Sequence, residues 1–94
     1  MIQVEVERWV AEGMLESFRK AVLELRGSAA RHEGFWGGEL LARIDDPHHC
    51  VSISHWRSIE DWREWEASEE RRLLNARTAP LLDEPETVII RTTM

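Results

Sequence analysis

The chain has 94 residues, one cysteine and a formal charge of −6. That length suits one domain, residues 1–94, which buries only about 60–65 % of its unfolded surface and would gain stability from a partner subunit. Lysines and arginines are scattered among acids, which argues against nucleic acid and anionic membranes as partners. Cys50 alone cannot form an internal disulfide, so a reducing, cytoplasmic setting is expected.

The first ten residues, MIQVEVERWV, read as neither a signal peptide nor a membrane span. Ile2, Val4, Val6 and Val10 fall on one side, and Gln3, Glu5, Glu7 and Trp9 on the other. This period of two predicts a strand. After Gly13, the spacing of Leu15, Phe18, Val22, Leu25 and Ala29 predicts an amphipathic helix closed by Gly27 or Gly34. Residues 35–44 and 48–56 read as two strands joined by Asp45, Asp46 and Pro47, an antiparallel hairpin.

Ser58 with Asp61 forms a capping-box variant, and Ser68 with Glu69 and Glu70 repeats the pattern, so the helix can break and restart there. Pro80 and Pro85 bound a loop before a last strand at 87–93. The order β-α-β-β-α-β folds most simply into an α+β, ferredoxin-like sandwich with both helices on one face of an antiparallel sheet. The uncovered face invites a second copy, so a homodimer is expected.

Five tryptophans stand out, three of them at Trp56, Trp62 and Trp65. On a continuous helix from Ser58, Ile59, Trp62, Trp65, Leu73 and Ala76 share an arc of about 120°. Two readings follow: core packing against the sheet, or the wall of a pocket for a planar aromatic ligand. Buried indoles want a partner for each N–H, and a pocket wall that stacks on a flat ligand uses both ring and N–H. Trp56 reads as a packing anchor, and the opposing pocket wall is expected from Trp36, Ser54 or Trp56.

His48, His49 and Cys50 alternate across a strand, while His49 and His55 stand about 20 Å apart, so no metal site is expected. Ser52 and Ser54 face away from His55 and lack a nucleophile-elbow pattern. Glu5 and Glu7 share a face and are expected in solvent or paired across an interface with Arg43 or Arg91.

"RWVAEG", "GFWGGELL", "SISHWRSIEDWREWEASEERRLL" and "PLLDEPE" together resemble the antibiotic biosynthesis monooxygenase superfamily of dimeric α/β-barrel proteins. The resemblance implies a homodimer with facing sheets and, in each subunit, a pocket between helices and sheet. It also implies oxidation of an electron-rich aromatic or quinol by O₂, with no metal or flavin cofactor. Trp62, Trp65 and Trp36 are then the candidate substrate-binding residues. His55 and Asn75 are candidate proton or hydrogen-bond partners, and Arg72 a candidate oxyanion stabiliser. A haem-degrading branch has a histidine where Asn75 stands, and an asparagine near Val6 and Glu7. An amide ligates haem iron poorly, so haem turnover is not expected. The alternative is a non-catalytic dimeric binding or structural module of the same fold.

Overall fold

In the computed structural model, which describes residues 1–94, alternation along the first strand sorts its side chains to two sides of one sheet. Strand β1 (Ile2–Trp9) leads through Gly13 into helix α1 (Leu15–Ala30). Strands β2 (Phe35–Ala42) and β3 (His49–Trp56) form the hairpin. Helices α2 (Ile59–Glu66) and α3 (Glu69–Thr78) precede strand β4 (Thr87–Thr92). The sheet order is β2-β3-β1-β4 with every pair antiparallel, and it remains open. This is the expected ferredoxin-like βαββαβ arrangement.

Boundaries differ by a residue or two at the strands, and α1 passes through Gly27 to end at Ala30. Gly34, at φ +89°, supplies the left-handed step into β2 that a β-carbon would resist.

The helix breaks where the second serine cap predicts. The Ser58 hydroxyl accepts the Asp61 N–H at 3.2 Å, and the Ser68 hydroxyl accepts the Arg71 N–H at 3.1 Å. The restart turns α3 about its axis, so the continuous-helix arc fails beyond Ala67. Leu73 is 52 % exposed, and Arg71, Leu74 and Thr78 face inward instead.

Between helices and sheet lie two apolar clusters. The larger joins Ile2, Val4 and Val6 to Leu25, Ala29, Trp56, Trp62 and Trp65, and the smaller joins Val10 to Phe18 and Val22. Trp56 is wholly buried, donates its indole N–H to the Ser54 hydroxyl at 3.0 Å, and meets Phe35 and Trp62 edge-on at 5.3 and 5.8 Å. It is the packing anchor expected of it.

The outer face carries no helix. There Trp9 stacks on His49 at 5.2 Å, and His49 meets Glu7 at 2.5 Å. Glu5 approaches Arg91 of its own chain at 3.5 Å, where pairing across an interface was expected, while Arg43 turns to Asp45. Val51 and Ile53 of β3 lie among these polar groups. On β4, Val88, Ile89 and Ile90 are all exposed. No helix of the chain is long and apolar enough to cross a membrane.

Candidate functional site

Register decides what the helices meet. Val4, Val6 and Arg8 of β1 pair with Ser54, Ser52 and Cys50 of β3, and Ser54 and Ser52 pair in turn with Gly38 and Leu40 of β2. The helix-facing side of β3 is therefore built from small side chains. Gly38 has no side chain at all, because a β-carbon there would stand 2.1 Å from the Ile53 carbonyl oxygen. Small residues facing α1 leave space.

That space has two parts. A cavity of about 60 Å³ lies between α1, the sheet and α2, walled by Val22, Leu25, Phe35, Leu40, Trp62 and Trp65. A groove of about 520 Å³ continues from it beneath the first half of α1, walled by Leu15, Phe18, Leu23, Leu40, Ala42 and Cys50. Val22, Arg26, Gly38, Glu39, Leu40 and Ser52 belong to both. At their boundary the exposed Arg26 side chain donates to the Gly38 carbonyl at 2.8 Å. Burial raises the pKa of the Cys50 thiol above its ordinary value, which keeps it neutral.

The cavity's polar end holds two arginines. Arg8 is 2 % exposed; its Nε donates to Glu86 at 2.8 Å and its terminal nitrogen to the Ser52 hydroxyl at 2.8 Å. Arg71 is 6 % exposed, lies over the Trp62 ring at 5.1 Å, and approaches the same Glu86 carboxylate only at 3.5 Å. Burial lowers the Arg71 pKa; Glu86 opposes the shift and the Arg8 charge adds to it. The guanidinium remains charged, since arginine stays protonated in proteins. The Arg71 Nε–H and the Trp62 indole N–H are buried and have no acceptor.

Trp62 and Trp65, each 2 % exposed, are core residues and cavity wall at once. Their faces are already engaged, by Arg71 over Trp62 and by His32 against Trp65 at 5.0 Å. The facing wall contains Ser54, as one expectation had it, with Phe35 and Leu40 in place of Trp36 and Trp56. Trp36 is 61 % exposed, beside the irregularity in β2 that the adjacent glycines allow.

The polar candidates do not converge. His55 pairs with Gln3 and so lies on the outer face, across the sheet from the cavity. Arg72 is exposed and held by Glu69 at 2.9 Å. Asn75 borders a separate depression with Thr78, Asp83 and Glu86, and its buried carbonyl oxygen has no donor. Two depart for a geometric reason: strand parity for His55, the helix restart for Arg72; Asn75 falls outside the tryptophan arc even on a continuous helix.

Sequence reasoning passed over Arg8 and Arg71. The signal for Arg8 was present, because the period that gathers Ile2, Val4, Val6 and Val10 runs through it. His49 and Cys50 lie on opposite faces, and no three His, Cys, Asp or Glu side chains come together in a way that could hold a metal ion.

An open antiparallel sheet with one helical layer, and a small-residue strand under a helix, defines a ferredoxin-like protein with an internal cavity. The chain belongs to the antibiotic biosynthesis monooxygenase family, whose model matches residues 1–77. Among solved structures, it is similar to a Nitrosomonas europaea protein ascribed to antibiotic biosynthesis monooxygenases, at 19 % identity and TM-score 0.91, covering 100 % of this chain and 99 % of that one. It is similar too to SnoaB, a cofactor-independent oxygenase from Streptomyces nogalater, at 19 % identity and TM-score 0.87, covering 99 % and 93 %. A conserved protein from Methanosarcina mazei matches at 14 % identity and TM-score 0.92, covering 99 % and 92 %. At such identities these structures speak for the fold. No curated protein matches the chain.

Proposed function

We propose that the chain oxidises an electron-rich, anthrone- or quinol-type aromatic with O₂, without metal or flavin, in the groove beneath α1. The observation that supports this most is the groove itself: about 520 Å³, mostly apolar, and open at one end to the Trp62–Trp65 cavity. The cavity between α1, the sheet and α2 is too small for the ring. At about 60 Å³ it falls below the roughly 150 Å³ that admits benzene in an engineered apolar site. The ring therefore lies in the groove, and only its leading edge reaches the tryptophans.

Once ionised, such a ring gives one electron to O₂, and the resulting radicals combine as a hydroperoxide. Loss of water leaves the ketone, so an anthrone plus O₂ becomes a quinone plus H₂O. The protein contributes position and exclusion of water. By the same route a quinol plus O₂ becomes a hydroxyquinone plus H₂O, so oxygen-electrode measurements on a panel of anthrones and quinols should show one O₂ consumed per substrate without accumulated peroxide. Ala42→Trp, which fills the groove, should weaken binding at least tenfold and stop uptake. Saturable binding of the panel with no O₂ uptake would sink the oxygenase reading and favour a non-catalytic binding module. SnoaB, described as a cofactor-independent oxygenase, is the relative that lends weight to catalysis.

A homodimer is part of the same proposal. Val51, Ile53 and Ile89 lie on the helix-free face, flanked by Trp9, and a partner sheet would cover them. Sedimentation at micromolar concentration should give twice the chain mass. Ile89→Lys should shift the protein to monomer, and a folded 11 kDa species from the unaltered chain would overturn the dimer.

A further inference from the structure

The geometry points to the arginine-lined part of the cavity as an oxyanion site: Arg71, supported by Arg8 and the Trp62 indole N–H, takes the negatively charged oxygen of an acidic aromatic ligand. This rests on the reading that the groove holds an aromatic ring, and it names which end of the ligand enters first.

The first argument is charge. Arg8 and Arg71 bring two buried positive charges to this end, and Glu86 brings one negative charge. Glu86 is committed to Arg8 by the shorter contact, 2.8 Å against 3.5 Å. Of the other charged groups, Glu66 is exposed and acts on Arg71 more weakly than Glu86 or Arg8, Arg26 is exposed at the groove boundary, and Glu39, also on the cavity rim, is exposed and pairs with Ile53 on the outer-face parity. One positive charge thus stays unmatched in a place where burial makes an unmatched charge costly.

The second argument is independent of charge. The two buried nitrogen groups on the cavity wall that lack a partner, Arg71 Nε and Trp62 Nε1, are both donors. A site that offers N–H groups without acceptors favours a ligand oxygen that only accepts, as a carboxylate or phenolate does.

Size agrees with both. About 60 Å³ admits a polar head group while the attached ring remains in the larger groove. The ligand is then a planar aromatic with an oxyanion at one end, either a carboxylate or an ionised ring hydroxyl. Its charge completes the arginine pair, and its ring lies against Leu40, Phe18 and Val22.

Calorimetry on the full-length protein tests this with 2-naphthoate, its methyl ester and 4-nitrophenol. Naphthoate should bind at least tenfold more tightly than the ester if the head group is a carboxylate. If it is a phenolate, nitrophenol should be taken up as the yellow anion at a pH where the free probe is mainly protonated. Arg71→Gln should abolish whichever preference is seen, and Arg71→Lys should keep part of it. Equal binding of acid and ester together with uptake of neutral nitrophenol, in the unaltered protein, would overturn the oxyanion site and leave the groove reading intact. A preference that survives Arg71→Gln places the anion elsewhere and also overturns it. Tight naphthoate binding with no O₂ uptake by any anthrone or quinol would leave the oxyanion site standing and remove the oxygenase reading. Should Arg71→Gln fail to fold, the comparison of probes in the unaltered protein still decides.

Discussion

Trp56→Ala should lower folding stability by about 3–5 kcal/mol, the cost of deleting a large buried aromatic that the surroundings cannot fill. The ring is wholly buried, touches Phe35 and Trp62 edge-on, and closes the larger apolar cluster against β1. Its loss also leaves the Ser54 hydroxyl without the N–H it accepts. A domain of this size has about 5–15 kcal/mol in total, so the variant stands close to unfolding at ambient temperature. Urea titration followed by circular dichroism gives the value directly. Trp36→Ala is the control; on an exposed side chain it should change stability by no more than about 0.5 kcal/mol. Equal effects at the two positions would contradict the packing described for Trp56.

The second large effect belongs to Glu86. Glu86→Ala leaves Arg8 without its ion-pair partner and Arg71 without its nearest counter-charge, which should cost about 3–5 kcal/mol. The triple change Arg8→Met, Arg71→Leu and Glu86→Leu removes all three charges together. It should recover most of that loss, because apolar groups of similar volume avoid the desolvation that burdens a lone buried guanidinium. Chemical denaturation of the single and triple variants settles it. If the triple variant is as unstable as the sum of its parts, the three groups do not act as a unit.

Much of this fold was legible because its signals are local. Alternation from Ile2 to Val6 and the three-and-four spacing from Leu15 to Ala29 each record one buried face, and the serine caps at 58 and 68 mark where helices begin. The site was less legible, since it depends on relations that no window contains. Arg8 meets a carboxylate 78 residues away. Arg71 turns inward only because a break of two residues resets the helical phase, an effect lost when Trp62 and Leu73 are placed on one continuous wheel. His55 was chosen for its chemistry, yet the parity of β3 sends it to the opposite face. Residue type was an uncertain guide here, and parity a better one.

The floor of the cavity carries a consequence for how such a protein can diversify. Cys50, Ser52 and Ser54 hold β3 in place through main-chain ladders to β1 and β2, and those ladders are indifferent to side-chain bulk. Exchange at residue 50 therefore reshapes the hollow while the strands keep their course, whereas residue 54 is tied to the Trp56 indole N–H that its hydroxyl accepts. Residue 38 lacks that freedom, because the Ile53 carbonyl already occupies the place of any β-carbon. Lineages sharing this backbone can thus drift toward differently shaped guests by single substitutions on one strand, with glycine at 38 as the fixed point around which they vary.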